Sequence, residues 1–313
     1  MNGSKAKIII MNKSISDYNC LKEWAKCYGD IILINDVPWH VQNRILTPLQ
    51  MPHKNLSLDK LKLSVEMAKS NSILAHWTDK WDSSESEWWW ICCDSKNYDI
   101  KNIKNSRGRR GIRKGLEHCE VKKINSGEFP ELAYNLYVKS LKSYGVKDKN
   151  IFSKNEYYSY VKRLSKYRGY ELWGSFVDNK LAAFAACVVL DDAVLLGSTK
   201  SDPEMHKFNP NNALFYIITK YYLTSMNTKY ITNGHRTLVH KTSIDEFLTR
   251  MGYRKVFCRL NLELSKFAKV VNTISSPIVR TNLIPFKQMF PVLGPKIEGF
   301  NNLIEINKTF KES

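Results

Sequence analysis

The stretch YELWGSFVDNKLAAFAACVVLDDAVLLGS, residues 170–198, decides the fold. It contains three consecutive apolar runs, and two short polar pairs separate them, Asp178-Asn179 and Asp191-Asp192. Asn and Asp tolerate the left-handed backbone that a tight hairpin turn requires. The stretch therefore predicts three consecutive antiparallel strands.

Helix and strand patterns alternate on both sides of these strands, with apolar residues at helical or alternating spacing. In chain order they predict a strand at 118–124, a helix with Pro130 in its first turn, a helix at 153–165, a helix at 211–226, a strand at 229–232, a helix with the capping pair Ser243 and Glu246 that ends at Gly252, and a last strand at 253–262. Residues from about Glu117 to Leu262 are therefore expected to form one α/β domain.

The first hundred residues are less regular. Segment 35–54 carries three prolines, which predicts a loop or a broken helix. Residues 88–93, WWWICC, form a short apolar run that predicts a buried strand. Packing in a core explains the three adjacent Trp residues, and a surface on which bases stack is the alternative.

The order β-α-α-β-β-β-α-β-α-β from His118 to Leu262 resembles the GNAT acyltransferase fold. More specifically, it resembles the Fem-type branch, whose members transfer amino acids to peptidoglycan precursors. The segments that carry the resemblance are the basic helix Arg107–Gly115, the hairpin Glu171–Ala185, the helix Asn209–Tyr222 and the ending Tyr230–Lys255.

The resemblance covers about half of the 313 residues and implies a mixed α/β (α+β) fold of the GNAT type. The expected domains are an N-terminal α/β region at 1–98, a basic connecting helix at 99–116, a GNAT-like transferase domain at 117–265 and a C-terminal tail at 266–313. Fem-type enzymes carry two GNAT-like halves, so a degenerate second half is one interpretation of residues 1–98.

The resemblance also implies an N-acyltransferase activity that forms an amide on an amine acceptor. An amino sugar of a cell-surface polysaccharide, or its nucleotide-linked precursor, is the acceptor that the family suggests. Most GNAT enzymes hold the coenzyme A pyrophosphate in a glycine-containing loop, whereas segment 200–212 contains no glycine. The implied donor is therefore either an acyl-coenzyme A, such as acetyl-coenzyme A, or an aminoacyl-tRNA, and no metal is implied.

Positive charge predicts where such a donor binds. The chain has a net charge of +18, which favours acidic partners. Two pairs of basic residues are each four positions apart, namely Arg109 with Arg113 and Arg110 with Lys114. They therefore form a basic stripe on the predicted helix. The stripe is expected to bind phosphate; a solvated helix face and attraction to anionic lipid are the alternatives.

The helix that starts near Asn211 offers a second set of donor-binding candidates. Its N-terminus has free amides and the positive end of the helix dipole, which suit a phosphate or an oxyanion. Asn211 and Asn212 add side-chain donors, and Lys200 lies upstream. The alternative for Asn211 is a simple helix cap.

The candidates for catalysis follow the strand at 229–232. Amide formation needs a base that removes a proton from the attacking amine, and His235 or His240 can do so near neutral pH. Arg236 is expected to hold a phosphate or a carboxylate with two hydrogen bonds. Glu171, on the first of the three hairpin strands, is a further candidate base.

The cysteines and the N-terminus indicate the compartment. Seven cysteines include no C-x-x-C pair, which favours reduced thiols and argues against a zinc site. No window approaches the ~20 apolar residues that span a bilayer, and the start of the chain is too polar for a signal peptide. A cytoplasmic protein is expected, and contact with the anionic inner face of the membrane stays open.

Two rival functions remain at the level of the sequence. A non-catalytic nucleic-acid-binding protein would use the basic helix and exposed aromatic side chains to bind RNA or DNA. A GNAT-like scaffold at a membrane surface is the other rival. The absence of the glycine loop favours both rivals, whereas the polar segment from Gly234 to His240 favours an enzyme.

Overall fold

A computed structural model describes residues 21–237, 243–266, 268–269 and 294–310, and the chain forms two compact units. Of the described residues, unit 1 contains 21–27, 91–234 and 244–254. Unit 2 contains 28–90, 235–237, 243, 255–266, 268–269 and 294–310.

The described residues form eight α-helices and twelve strands. The helices are α1 (Leu21–Tyr28), α2 (Lys60–Lys69), α3 (Ser106–His118), α4 (Phe129–Ser143), α5 (Lys154–Leu164), α6 (Pro210–Lys220), α7 (Ile244–Arg250) and α8 (Gly294–Thr309). The strands are β1 (Ile31–Ile34), β2 (Val37–Gln42), β3 (Ile45–Pro48), β4 (Leu74–Asp79), β5 (Trp89–Cys93), β6 (Glu120–Ile124), β7 (Tyr170–Val177), β8 (Lys180–Leu190), β9 (Ala193–Ser201), β10 (Tyr230–His235), β11 (Arg254–Phe257) and β12 (Arg259–Leu264).

The three hairpin strands are adjacent in a seven-stranded sheet with the order β11-β5-β10-β9-β8-β7-β6. Strands β7, β8 and β9 pair antiparallel in sequence, as residues 170–198 predict. Asp178, Asn179 and Asp191 have φ angles of 47°, 61° and 51°, so the turns use the left-handed backbone for which these residue types are suited.

Strand β9 separates from its neighbour β10 partway along its length. The two strands pair in parallel only from Ala193 to Leu195, although β9 continues to Ser201. On its other side, the register between β8 and β9 shifts at Gly197, because Ala186 pairs with Ser198 and Cys187 pairs with Leu196. A bulge of this kind redirects side chains and is often found beside active sites.

Helix α3 packs closely on α6 through its glycines. A Cβ on Gly111 would lie 2.7 Å from Asn212 Nδ2, and one on Gly115 would lie 2.7 Å from the Asn209 carbonyl oxygen. A Cβ on Gly108 would overlap the carbonyl oxygen of Arg250. These glycines weaken the isolated helix, as their propensity predicts, but they permit a close helix contact that a larger residue would prevent.

Unit 2 contains a five-stranded sheet with the order β1-β2-β3-β4-β12. The prediction of a loop or a broken helix at 35–54 was wrong, because β2 and β3 occupy half of this segment. Asn35, Asp36, Asn43 and Arg44 have positive φ angles and form the two hairpin turns. The core of this unit consists of Ile34, Trp39, Leu46, Leu63, Met67, Ala75 and Trp77.

Two further element predictions need correction. The single last strand predicted at 253–262 is two strands: β11 lies in the seven-stranded sheet, and β12 pairs with β4 in the other sheet. The alternation of side chains along the sequence could not reveal the break between β11 and β12, since both strands need the same alternating pattern. The predicted start of the first strand is also wrong, because α3 extends to His118.

The domain limits predicted at 98, 116 and 265 stay a prediction, because the two units follow spatial contacts and not consecutive segments.

Within the part of the chain that the structure describes, no helix has both the length and the apolar character that a bilayer span needs.

Candidate functional site

A cleft of about 500 Å³ in unit 1 concentrates positive charge. Three cationic side chains of α3 and one at the end of α7 line it, Arg107, Arg110, Lys114 and Arg250. None of its described lining residues is acidic. Glu246 Oε2 lies 3.9 Å from Arg250 Nη1, at a largely exposed pair that contributes little. The cleft is therefore suited to a ligand that carries several negative charges.

The first turn of α6 contributes to the same cleft. Asn209, which precedes the helix, has a φ angle of 56°, and both Asn209 and Asn212 line the cleft. Backbone N–H groups and the positive dipole end at a helix N-terminus add to the attraction of an anion. The four cations and the helix end thus act on the same volume.

The spacing of residues along α3 explains how the basic side chains reach the cleft. Arg107, Arg110 and Lys114 are three and four residues apart, so they share one face of a helix with 3.6 residues per turn. Gly108, Gly111 and Gly115 occupy the adjacent positions, which contact α6 and α7. Helix α3 therefore alternates glycines, which permit contact with other helices, with basic residues, which bring positive charge to the cleft.

The structure brings together some of the predicted phosphate-binding residues but not all of them. Arg110 and Asn212 line the cleft, whereas Arg109, Arg113 and Asn211 do not. Arg109 donates to the carbonyl oxygens of Ile103 and Lys104, and Asn211 Nδ2 donates to Ser201 Oγ at 3.0 Å. The cleft residues that the prediction omitted are Arg107, Lys114, Asn209 and Arg250.

Lys200 lies on β9, beyond the point where this strand leaves β10. Its side chain is half-buried, and Nζ donates to the carbonyl oxygen of Thr199 at 3.1 Å. Burial lowers the pKa of the ammonium group. Among the described residues, no carboxylate pairs with Lys200, so its charge is poorly compensated.

Glu171 belongs to a buried network in unit 1. Its Oε2 atom lies 2.8 Å from Lys123 Nζ and accepts a hydrogen bond of 2.6 Å from the Tyr222 hydroxyl. Lys123 also donates to the Tyr221 hydroxyl, and Trp173 Nε1 donates to Tyr222. Only 9% of the Glu171 side chain is exposed, so these contacts explain the carboxylate without a catalytic role.

His235 ends β10 and belongs to unit 2. Its imidazole stacks on Trp88, with ring centroids 4.7 Å apart, and meets the edges of His76 and Trp90. Nδ1 lies 2.9 Å from the carbonyl oxygen of Arg236. The residue is exposed at the surface, and the rings that pack against its imidazole lower its pKa by partial desolvation.

Arg236 is held by its own unit. Its Nη1 atom donates to the Glu87 carboxylate at 2.9 Å and to the Glu87 carbonyl oxygen, and its guanidinium lies 4.3 Å from the Trp89 ring centroid. These contacts occupy the guanidinium group of Arg236, which was predicted to bind a phosphate or a carboxylate. His240 lies outside the described residues.

The cysteines do not form a metal site in the described part of the chain. Cys27, Cys92, Cys93, Cys119, Cys187 and Cys258 are free and buried. Over the described ranges, no group of three or more His, Cys, Asp or Glu side chains is placed to hold a metal ion.

Comparison with known proteins identifies the fold. The chain matches the crystal structure of FemX with a TM-score of 0.54 and 9% identity, over 84% of this chain and 98% of FemX. It matches L-PGS from Bacillus licheniformis with a TM-score of 0.51 and 10% identity, over 84% of this chain and 94% of that one. A C-terminal domain from Agrobacterium fabrum, named for a lysylphosphatidylglycerol synthetase, gives a TM-score of 0.51 and 11% identity over 80% and 88%.

These matches confirm the predicted fold class. The chain has a mixed α/β fold of the GNAT type, in the form that FemX shows. The likeness extends over four fifths of the chain and thus well beyond the half that the sequence resemblance covered. No family model and no curated protein matches the sequence.

Proposed function

We propose that the protein is an N-acyltransferase that transfers an acyl or aminoacyl group from a phosphate-bearing donor to an amine. The observation that carries this proposal is the cluster of Arg107, Arg110, Lys114 and Arg250 at the N-terminus of α6, within a GNAT-type fold. The two donors that the sequence suggested, an acyl-coenzyme A and an aminoacyl-tRNA, both carry phosphates. In acyl-coenzyme A the pantetheine arm separates the phosphates from the thioester, whereas in aminoacyl-tRNA a phosphate is attached to the ribose that carries the ester. The cleft suits either, because guanidinium and ammonium groups bind phosphate oxygens strongly.

The reaction that we propose has a simple balance. The amine nitrogen attacks the carbonyl carbon of the thioester or ester, a C–N bond forms, and the C–S or C–O bond breaks. The nitrogen loses one proton to a base, and the leaving thiolate or alkoxide gains one proton. We propose His235 as this base, since Glu171 is buried in contact with Lys123 and Tyr222.

The acceptor belongs to this proposal only as a chemical class. The likeness to FemX and L-PGS is a likeness of fold, and a fold by itself does not define a substrate. An amine of an amino sugar or of a surface-glycan precursor is our starting acceptor, and transfer at the inner face of the membrane is compatible with the basic charge.

The test is a transfer assay with two labelled donors, acetyl-coenzyme A and tRNA charged with amino acids, and a panel of primary amines. We expect label to appear in an amide product with one of the two donors. Lys114→Ala should lower kcat/KM about tenfold to 100-fold, because a charge-assisted contact to phosphate contributes about 1.5–3 kcal/mol. Arg113→Ala is the matched control, since it removes the same charge from the same helix outside the cleft.

The assay also separates the enzyme from the rival nucleic-acid-binding protein. If charged and uncharged tRNA bind equally and no amide forms with either donor, the proposed function is wrong and simple RNA binding remains. If Lys114→Ala and Arg113→Ala lower kcat/KM equally, the general positive charge of the protein attracts the donor, and the cleft does not bind it specifically.

A further inference from the structure

Helix α2 of unit 2 carries two sets of apolar side chains. Leu63 and Met67 are buried and pack into the core of the unit. Leu61, Val65 and Ala68 lie elsewhere on the same helix, and all three are exposed. The exposed set therefore contributes little to the core, and its position has another reason.

The spacing of the exposed residues makes them one continuous face. Val65 follows Leu61 by four positions and Ala68 follows Val65 by three, so the three side chains form one stripe along the helix. Leu61 is 80% exposed and Val65 is 51% exposed. Because the helix has 3.6 residues per turn, this exposed stripe lies on the far side of α2 from the buried pair.

Lysines flank the exposed stripe on both sides. By the helical spacing, Lys62 and Lys69 lie along one side of it and Lys60 lies on the other. Lys60 and Lys62 make no ion pair with any described residue. Lys69 stays largely exposed although it pairs with Glu66. An apolar face with positive edges is thus turned to the solvent.

The acidic residues of this helix do not cancel the positive edges. Glu66 is engaged by Lys69 at 2.8 Å. Asp59 precedes the helix, and its Oδ1 atom accepts from the backbone amides of Leu61 and Lys62. A carboxylate in that position compensates the helix dipole, so it has a local role in the helix cap.

A groove beside α2 continues the same combination of apolar and cationic groups. Val65 and Ala68 line one part of it, and Leu264 at the end of β12 lines another. Its cationic lining residues are Arg44, Lys266 and Lys269, and its one described acidic residue, Glu263, lies 2.6 Å from Lys269. Unit 2 therefore presents cations around the whole of this apolar area.

An apolar stripe between lysines matches the surface of an anionic bilayer. There, Leu61 and Val65 gain an apolar environment at the boundary between head groups and acyl chains. The aliphatic stems of the flanking lysines extend along that boundary while their ammonium groups reach the phosphates. A bilayer thus uses both features of α2 at once.

Other partners use only one of these features. A nucleic acid would bind the lysines, but its phosphate backbone offers no apolar contact to Leu61 and Val65. A second copy of the chain would cover the stripe but would bring its own lysines against Lys60 and Lys62. A stable protein interface also covers about 800 Å² on each partner, whereas this helix is only about 15 Å long.

We propose that α2 is a docking surface for an anionic phospholipid bilayer. Leu61 and Val65 insert below the head groups, and Lys60 and Lys62 lie at the level of the phosphates. This contact involves unit 2 alone and needs neither donor nor acceptor, so it is independent of the proposed amide formation.

The test measures binding of the full chain to vesicles by flotation. Vesicles with equal parts of phosphatidylcholine and phosphatidylglycerol are compared with vesicles of phosphatidylcholine alone. We expect the wild type to bind the anionic vesicles about tenfold more tightly or better. Leu61→Gln/Val65→Gln should weaken this binding about tenfold or more, because both side chains lose their apolar burial. Lys62→Gln should weaken it about fivefold.

Two variants serve as matched controls. Leu33→Gln removes another exposed leucine of unit 2, which is 54% exposed on β1. Its neighbour Ile34 points into the core that α2 covers, so Leu33 points to the opposite face of the sheet. Arg113→Gln removes one exposed positive charge from α3 in unit 1. Both should stay within about twofold of the wild type, since neither residue is part of the stripe or its edges.

A fluorescent reporter tests the depth of insertion. The additional emission of Leu61→Trp should be quenched by phospholipids that carry bromine in their acyl chains, whereas that of Leu33→Trp should not. All of these substitutions are at exposed positions, so the variants should unfold at the same temperature as the wild type, which thermal unfolding checks.

Equal binding of the wild type and Leu61→Gln/Val65→Gln would overturn the proposal, because charge alone would then attract the vesicles. Absence of binding to the anionic vesicles, or equal losses in Leu33→Gln and Leu61→Gln/Val65→Gln, would overturn it as well. If sedimentation shows that Leu61→Gln/Val65→Gln loses self-association and keeps vesicle binding, the partner is a second copy instead.

The proposed function fails or holds separately from this contact. The transfer assay with water-soluble amines contains no lipid, so Leu61→Gln/Val65→Gln should leave its kcat/KM unchanged. Loss of vesicle binding with normal transfer, and normal vesicle binding without transfer, are therefore distinct results.

Discussion

At the scale of single residues, a buried carboxylate can act as a base or as part of a structural network, and Glu171 is the clearest case. It accepts from both Lys123 and Tyr222, and the hydroxyl of Tyr222 also accepts from Trp173 Nε1. Burial raises the pKa of Tyr222 well above its usual value, so this hydroxyl keeps its proton and stays a donor to the carboxylate. We therefore propose a structural role for Glu171.

Glu171→Gln separates the two roles. An amide keeps the acceptor for Tyr222 but removes the charge that faces Lys123, so we expect a loss of about 1–3 kcal/mol in the free energy of unfolding. Urea unfolding of the wild type and the variant measures this loss. Turnover under conditions where the variant is folded should stay within about twofold of the wild type.

A folded Glu171→Gln variant without turnover would contradict this assignment and make Glu171 a candidate base again. Lys122→Ala is a useful control, since Lys122 is next to Lys123 on β6 and its partners are Glu120, at a largely exposed site, and the Phe176 ring, but not Glu171.

At the scale of secondary-structure elements, the contact between α3 and α6 shapes the cationic cleft. Gly115 faces the Asn209 carbonyl oxygen and the Ala213 amide, at 2.7 and 2.9 Å from an added Cβ. Both are backbone atoms, which cannot rotate away as a flexible side chain can. The helices must therefore move apart if Gly115 gains a side chain.

The sign of the stability change in Gly115→Ala tests whether this close helix contact exists. Within an ordinary helix, Gly→Ala stabilises by up to about 1 kcal/mol. Here we expect destabilisation of about 1–3 kcal/mol, because one added methyl group overpacks the helix contact. Thermal or urea unfolding measures the change, and an increase in stability would show that the close contact does not exist.

The elements also show what the sequence could predict. Residues 170–198 were predicted correctly because Asp178-Asn179 and Asp191-Asp192 define their turns locally. Strands β2 and β3 were missed because Pro38 and Pro48 were taken as breakers, although both prolines fit within this sheet. The break between β11 and β12 depends on which sheet each strand joins, which is not a local property.

The same distinction applies to the candidate sites. Arg110 and Asn212, which line the cleft, were predicted from local signals, namely basic spacing and the start of a helix. Arg250 was missed, since only the fold brings the end of α7 to the start of α6. The glycines of α3 mark the face that lines the cleft. Arg107, Arg110 and Lys114 each immediately precede a glycine, whereas Arg109 and Arg113 do not and lie outside the cleft lining.

At the scale of the whole molecule, a net charge of +18 raises the question whether anions are attracted everywhere or at one place. A general field would attract RNA, lipid and coenzyme A alike and would decline with ionic strength. The cationic cleft adds a defined site, because four cationic side chains and the start of α6 surround about 500 Å³ without a lining carboxylate among the described residues. Surface charge alone does not create that geometry.

The most direct test of the proposed donor site is a calorimetric titration of the protein with coenzyme A and, separately, with tRNA, at two salt concentrations. Arg110→Ala/Lys114→Ala is compared with Arg113→Ala and with the wild type. We expect one of the two ligands to bind the wild type. The double variant should lose about 100-fold or more in affinity and show a smaller salt dependence, since two charge-assisted contacts are removed. Arg113→Ala should stay within about twofold. Equal losses in both variants, or no binding of either ligand, would contradict the claim that the cleft holds the phosphates of the donor.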